Sequence, residues 1–243
     1  MNLVITMAGA GRRFRDAGYD QPKFAIRVKG RSLFTWAMQS LDAFLTPAVR
    51  AIFVARAGDA AADFVAGEMA AWPGVEARLV ELDHITDGQA TTALIAAAHW
   101  DEAAPLLIYN IDTHVNPRHL RPQMIAGEGW IPCFRAAGEH WSFVRTDAHG
   151  RALEVAEKRR ISDLASIGLY WFASAALFAR AYAETYESAG AAPELAERYV
   201  APVYNALIAE GRAVTVTEVP AEAVVPLGTP AEVRRFEAEC AAR

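Results

Sequence analysis

The sequence predicts an α/β protein whose centre is a doubly wound, mixed sheet carrying a small hairpin-rich lobe. Through the first half of the chain, short apolar runs alternate with amphipathic segments. One of those runs, Pro105-Leu106-Leu107-Ile108-Tyr109-Asn110, is almost continuously apolar, as a parallel strand covered on both faces has to be. Past Asp112 the rhythm changes to closely spaced strand-like segments parted by turns. At 243 residues, with 53% hydrophobic and 22% charged residues, the chain has the balance of an ordinary folded protein with a substantial core.

Leu3 to Thr6 is a buried strand that empties into the loop Met7-Ala8-Gly9-Ala10-Gly11-Arg12-Arg13-Phe14. Lys23 to Val28 reads as a short extended segment and Lys29-Gly30 as a turn. Ser32 is then placed to cap an amphipathic helix running to Leu45. Arg50 to Ala55 is the next strand, Asp59 to Ala71 a helix, Val75 to Leu82 a strand and Gly88 to Trp100 a helix. Beyond Asp112, strands are expected at Trp130 to Arg135, Trp141 to Thr146, Leu153 to Ala156 and Ile167 to Phe172, with Asp147-Ala148-His149-Gly150 as a turn among them. Helices at Ala175 to Glu187 and Leu195 to Glu210, a strand at Ala213 to Val219 and a last helix from Pro230 finish the chain. The stretch Ala189-Gly190-Ala191-Ala192-Pro193 is expected to be a loop. With no internal repeat and no low-complexity linker, residues 1–243 are expected to form one domain in two lobes.

The first loop carries the most specific chemistry. Ala8, Gly9, Ala10 and Gly11 let backbone N–H groups approach an anion closely, while Arg12, Arg13 and the returning Lys23 neutralise it. Phe14 stands where a dinucleotide fingerprint has its third glycine, and no Gly-Lys-Ser/Thr closes a Walker loop. Net charge is −5, so any phosphate site is local and nucleic acid is not an expected partner. Cys133 and Cys240 are far apart and lack metal-ligand spacing, which argues against a disulfide framework or structural zinc. No signal peptide is recognised, and alanine-rich windows such as Ala90 to Ala98 are too short to span a bilayer; a cytoplasmic protein without a membrane partner is expected.

In a doubly wound sheet ligands sit beyond the carboxyl ends of the strands. Asp112, closing the run Asn110-Ile111-Asp112-Thr113, falls there and can hold Mg²⁺ together with substrate phosphates. A second charged run, Glu154-Val155-Ala156-Glu157-Lys158-Arg159-Arg160, ends a strand of the hairpin lobe. Lys158 can hold another phosphate and Glu157 can accept hydrogen bonds from hydroxyl or amino groups. By itself the run reads equally well as a solvated face.

Taken together, Met7 to Phe14, Gly18-Tyr19, Pro22-Lys23 and Gly30 resemble the signature of the nucleotidyltransferases that make nucleoside-diphosphate sugars and related activated metabolites. The resemblance continues through Asp87-Gly88-Gln89-Ala90-Thr91-Thr92, Asn110-Ile111-Asp112, Trp141-Ser142-Phe143, Glu157-Lys158 with Ile161-Ser162-Asp163, and Gly168-Leu169-Tyr170. It ends with Tyr199 to Asn205 and Leu227-Gly228-Thr229-Pro230, so it covers nearly the whole chain. The sequence is most similar to a compact subgroup found with bacterial capsule and surface-polysaccharide genes, some members of which activate phosphorylated non-sugar compounds, such as phosphoglutamine, with CTP.

The resemblance implies a Rossmann-like, GT-A-like nucleotidyltransferase fold, with a nucleotide-binding part at about 1–115 and an acceptor lobe with C-terminal helices at about 116–243. It implies that Ala8, Gly9, Ala10, Gly11, Arg12 and Arg13 wrap the triphosphate of an NTP, a pyrimidine nucleotide in particular, with Lys23 beside the reacting α-phosphorus. It further implies that Asp87, Gly88 and Thr91 hold base and ribose and that Asp112 ligates Mg²⁺. Trp141, Glu157, Lys158 and Gly168 would receive a phosphorylated small-molecule acceptor. An aspartate that many relatives carry two residues before the final Gly-Thr is Pro226 here, with Glu222 a weak replacement. His114 and His119 follow Asp112 closely, though loop histidines are ordinarily incidental. Glu197 or Asn205 can reach the acceptor, but packing is the more ordinary duty of that segment.

Rival readings are a glycosyltransferase, which normally carries an Asp-x-Asp motif where this chain has Asn110-Ile111-Asp112, and a catalytically silent nucleotide sensor. The oligomeric state, monomer or homo-oligomer, is left open by the sequence.

Overall fold

The computed structural model describes residues 1–188 and 197–239. The loop expected at Ala189 to Pro193, the first turn of the helix expected from Leu195, and Cys240 lie outside these residues.

The parallel half comprises β1 (Asn2–Thr6), α1 (Arg12–Asp16), the short hairpin β2 (Arg27–Val28) and β3 (Arg31–Ser32), α2 (Leu33–Ser40), β4 (Arg50–Arg56), α3 (Ala61–Met69), β5 (Glu76–Leu82), α4 (Gln89–Ile95) and β6 (Leu106–Asn110). There follow β7 (Thr113–Val115), β8 (Gly129–Arg135), β9 (Ser142–Thr146), β10 (Ala152–Glu157), β11 (Leu164–Ser166) and β12 (Leu169–Phe172). The chain continues through α5 (Ala175–Tyr186), α6 (Tyr204–Ala209), β13 (Val214–Glu218), β14 (Val224–Pro226) and α7 (Pro230–Ala238). A ten-stranded sheet runs β10-β9-β11-β8-β12-β6-β1-β4-β5, with β13 beside β8. β6, β1, β4 and β5 pair in parallel, whereas β12, β8, β11, β9 and β10 pair antiparallel, which is the mixed sheet the sequence predicts.

Side chains alternate across each strand, so a strand buried on both faces has to be apolar throughout. Leu3, Ile5, Ala51, Phe53, Leu107 and Tyr109 enter one core layer, and Val4, Ile52, Val54, Leu106 and Ile108 enter the other. A third cluster, Phe14, Ile26, Val28, Leu33, Leu227 and Val233, packs α7 against the segment that follows the first loop. α7 is thereby brought back to the region of the loop that follows β1.

Several elements differ from expectation for local reasons. Ser32 Oγ accepts from Thr35 N at 3.0 Å as the cap of α2, but the helix stops at Ser40. There Ser40 Oγ donates to Trp36 O and accepts from Val115 N, tying the helix end to β7. Arg198, expected within the helix from Leu195, is drawn elsewhere: Arg198 N donates to Asp87 O at 2.8 Å, and Ala90 N donates to Arg198 O at 2.9 Å. The helix therefore begins only at Tyr204, after a tight turn at Ala201–Val203. The strand expected from Ile167 breaks at Gly168, whose φ of +81° is natural only to glycine, and Leu164–Ser166 forms a strand of its own. No helix among the described residues is long and apolar enough to cross a membrane.

Candidate active site

β1 ends at Thr6 and the chain passes through Met7-Ala8-Gly9-Ala10 to Gly11, which adopts the left-handed conformation (φ 61°, ψ 25°) that turns the backbone into α1. Phe14, buried on the far side of this turn, anchors it. A cavity of about 530 Å³ opens above the strand ends. Its floor is Thr6, Asn110, Ile111 and Asp112; one side is Ala8, Gly9, Ala10, Arg12 and Lys23; the other is Ile85, Thr86, Gly88, Gln89 and Thr92, with Glu197 at the rim. A smaller cavity of about 250 Å³ lies beyond Gly11, lined by Arg15 and Lys23 among others.

Lys23 and Asp112 form an ion pair inside this site, with side chains 19% and 27% exposed. Both remain within reach of a ligand, and each masks the other's charge until one arrives. Arg12 lines the larger cavity, whereas Arg13 is exposed on α1 and lines neither.

Gly88 is indispensable to the opposite side. A Cβ there would lie 2.2 Å from Arg198 O and 2.4 Å from Arg198 N, so only glycine lets the two segments meet. Asp87 and Thr91 do not line the cavity. Arg198 Nε donates to the Asp87 carboxylate at 3.0 Å, Thr91 Oγ1 donates to the same carboxylate, and Thr91 also bonds Tyr182 at 2.8 Å. Their work is to clamp the Gly88 turn, and Thr86, Gln89 and Thr92 present side chains to the cavity in their place. Strand-to-helix loops hide this choice from sequence, because neighbours in the chain face opposite ways.

The residues expected on the acceptor side form a second group. β9 pairs with β10 so that Glu157 stands opposite Ser142, and Lys158 N donates to Trp141 O at 2.9 Å. Ser142 Oγ donates to Glu157, and Tyr170 OH donates to Ser142 Oγ at 3.4 Å. Burial pushes the Glu157 carboxyl above its ordinary range, and the charge of Glu197 adds to the rise against the opposing pull of Ser142 and Lys158. Lys158 has φ +51°, a left-handed conformation that costs a non-glycine residue about 1–2 kcal/mol. Its ammonium donates to Tyr199 OH and lies 4.7 Å from the centre of that ring. Trp141 packs edge-on against Phe134, and its Nε1 donates to Ala137 O at 3.0 Å. Trp141, Glu157, Lys158 and Gly168 do not line the larger cavity. Gly168 touches that cavity only through Asn110, whose side chain occupies the space a Cβ at 168 would fill.

Other candidates resolve into packing. His114 bonds Trp36 O at 2.9 Å and packs on the Trp36 ring, and burial lowers its pKa. Asn205 binds both N and O of Val155, stitching α6 to β10. Glu222 is exposed in the turn before β14.

A scan against protein-family models finds no match, and a search of curated proteins finds none either. Among solved structures, the nucleoside-diphosphate-sugar pyrophosphorylase from Vibrio cholerae RC9 superposes with a TM-score of 0.90 at 30% identity, over 97% of this chain and 99% of that one. The chain belongs to the nucleotidyltransferase family. The inositol-1-phosphate CTP transferase from T. maritima shares the fold at 17% identity, over 99% of this chain and 96% of that one, with a TM-score of 0.76. A protein from Bacillus anthracis assigned as a glucose-1-phosphate thymidylyltransferase does so at 16% identity, over 100% and 96%, with a TM-score of 0.77.

Nucleotidyltransferases imply a divalent cation, and the residues of this chain fit one. Among the described residues no group of three or more His, Cys, Asp or Glu is placed to hold a metal ion. Mg²⁺, however, needs only one or two carboxylates beside substrate phosphates. Pro226 is paired with Thr113 in a short ladder, and Leu227 N donates to Asp112 O at 2.7 Å, which lays the last loop against Asp112. A Cβ on Gly228 would lie 3.0 Å from Asp112 Oδ2 and 3.6 Å from Glu232 Oε2. The bare glycine thus leaves two carboxylates facing one small space. Glu232 escapes a linear reading because Thr229-x-x-Glu232 already has a local meaning, the start of α7, where Thr229 Oγ1 accepts from Glu232 N at 3.3 Å.

Proposed function

We propose that this chain transfers a nucleoside monophosphate from an NTP to a phosphorylated small molecule and releases pyrophosphate. The observation that carries the reading is the convergence of the glycine loop, Arg12, Lys23 and Asp112 on one cavity at the strand ends, in a chain whose 30%-identical relative is a nucleoside-diphosphate-sugar pyrophosphorylase. A phosphate oxygen of the acceptor attacks the α-phosphorus. The new P–O bond forms in line with the breaking α–β bridge, whose electron pair leaves with pyrophosphate. An ionised phosphate is already a nucleophile at neutral pH, so no general base is needed.

Alignment and charge neutralisation then supply the catalysis. Holding two anions in attack geometry is worth roughly 7–11 kcal/mol in well-oriented systems. In this reading backbone N–H groups of Ala8 to Gly11 cradle the triphosphate tail, with Arg12 beside it, and Lys23 leaves Asp112 to neutralise the α-phosphate. Asp112, with Glu232 in place of the carboxylate that Pro226 cannot provide, would hold Mg²⁺. When bound, that ion supplies charge stabilisation on the reacting phosphate. Gly88 and its neighbours receive base and ribose, held by Asp87 and Thr91 from behind. Lys158 and Glu157 offer a cation and a carboxyl suited to a phosphate on an acceptor that also carries hydroxyl or amino groups, with Trp141 beside them. A pyrimidine nucleotide, CTP in particular, a phosphorylated amino compound such as phosphoglutamine, and a role in capsule precursor synthesis rest on the sequence resemblance. A cytoplasmic location rests on the sequence having no recognised signal peptide or bilayer-spanning run, and a single domain over 1–243 on its having no internal repeat or low-complexity linker.

The test is pyrophosphate release from ATP, CTP, GTP and UTP, each mixed with sugar 1-phosphates and with phosphorylated amino compounds. Release that requires both substrates is expected. A protein that binds an NTP yet releases none with any acceptor would be a nucleotide-sensing relative instead.

A further inference from the structure

Among the described residues one buried side-chain oxygen or nitrogen has no hydrogen-bond partner: Oδ1 of Asn110. Buried acceptors left unpaired are exceptions in folded proteins, and each calls for a cause. Asn110 ends β6, lines the larger cavity and faces Thr6 across the β1–β6 register. Thr6 is already engaged, its Oγ1 accepting from Gln89 Nε2 at 3.0 Å. On the other side, Asn110 N donates to Gly168 O at 3.3 Å, and the bare Gly168 backbone lies against the side-chain amide. A Cβ on Gly168 would come within 2.0 Å of Nδ2 and 2.6 Å of Cγ. The amide is therefore pinned by Gly168, with a buried, unpartnered acceptor on a residue that lines the cavity.

Building on the nucleotidyl-transfer reading, we propose that Asn110 is a specificity-determining residue that accepts a hydrogen bond from a hydroxyl on the pentose of the nucleoside triphosphate. Its place fits that group: Asn110 lines the same cavity as Asp112 and Lys23, which that reading gives to the phosphates, and as Gly88 and Gln89, which it gives to the nucleoside. Gly168 is then a positioning residue that acts through Asn110 rather than a wall of the acceptor pocket.

Calorimetric titration of the full chain tests this, using the tightest-bound of ATP, CTP, GTP and UTP and its 2′-deoxy and 3′-deoxy counterparts. Asn110→Ala is expected to weaken ribonucleotide binding about 10-fold, with the loss vanishing for the deoxy compound that lacks the contacted hydroxyl. Asn110→Ser, which shortens the acceptor, should fall between the two. Gly168→Ala should cause a similar loss in the wild type and little further loss in the Asn110→Ala background. Without ligand, Asn110→Ala should melt no lower than the wild type, since it removes an unsatisfied group. Unchanged affinity for the ribonucleotide, an equal loss for all three compounds, or a melting point several degrees lower overturns the proposal. A wild type that binds no NTP overturns both this and the proposed function. Selective binding without pyrophosphate release overturns only the latter.

Discussion

On the wall built from the parallel strand ends, Lys23 and Asp112 are paired only with each other at the edge of an open cavity, and Arg12 faces the same space. On the wall built from the β9–β10 hairpin, Glu157 is bonded to Ser142, Lys158 to Tyr199 and Trp141 to Ala137, away from that cavity. The first wall is made of loops whose geometry follows from the sheet, so its cations wait at a fixed place. The second is made of side chains that satisfy one another, so a ligand there has to displace existing partners. In the proposed reading, placement of the donor is thus a property of the fold, while selection of the acceptor is a property of a replaceable network.

Mutation can break or sharpen this contrast. Lys23→Ala should have the largest effect, a fall of about 10²–10³-fold in kcat/KM with the melting temperature little changed; steady-state kinetics beside a thermal melt checks it. Asp112→Asn should shift the Mg²⁺ titration of activity roughly tenfold higher, and Glu232→Gln should shift it the same way. If Mn²⁺ binding followed by electron paramagnetic resonance is unaffected in either variant, that residue does not hold the metal. Gly88→Ala should destabilise by about 1–3 kcal/mol, because the added Cβ meets the Arg198 backbone; denaturant unfolding reads this directly.

Smaller effects belong to the hairpin wall. Lys158→Gly should raise stability by about 1 kcal/mol by relieving the left-handed conformation, while raising the acceptor KM and leaving the nucleotide Kd alone. A weakened nucleotide Kd in this variant would merge the two walls. The smallest effect concerns Glu157, whose carboxyl burial holds above its ordinary value of 4.5. Its protonated form is the one the fold favours, so the stability it contributes is complete below 4.5 and is lost as pH rises through the raised value. Glu157→Gln should therefore gain in melting temperature relative to the wild type as pH climbs through that window, and match it in acid.

Most strands were legible because burial on both faces forces uninterrupted apolar runs, as at Leu106 to Tyr109, and because alternation with helices fixes a parallel order. The meeting of the glycine loop, Lys23 and Asp112 was legible because a doubly wound sheet gathers the carboxyl ends of its parallel strands along one edge. What escaped depends on contacts between distant segments. Gln89 and Thr92 line the cavity while Asp87 and Thr91 turn to Arg198 and Tyr182, a choice settled by segments far along the chain. Glu232 and Asp112 both border Gly228, and the cluster that Phe14 shares with Val233 is what lays α7 against the segment after the first loop. Asn110 stood in the Asn110-Ile111-Asp112 block without a role of its own; its interest lies in a hydrogen bond that is missing.

The claim that the cavity at the parallel strand ends performs nucleotidyl transfer is tested most directly by ³¹P NMR of the product formed when the acceptor phosphate is labelled with ¹⁸O. Attack on the α-phosphorus predicts labelled oxygen in the new phosphoanhydride bridge, unlabelled pyrophosphate released in equal amount, and loss of both signals in Lys23→Ala. Label absent from the bridge, or pyrophosphate released at the same rate without acceptor, would contradict it.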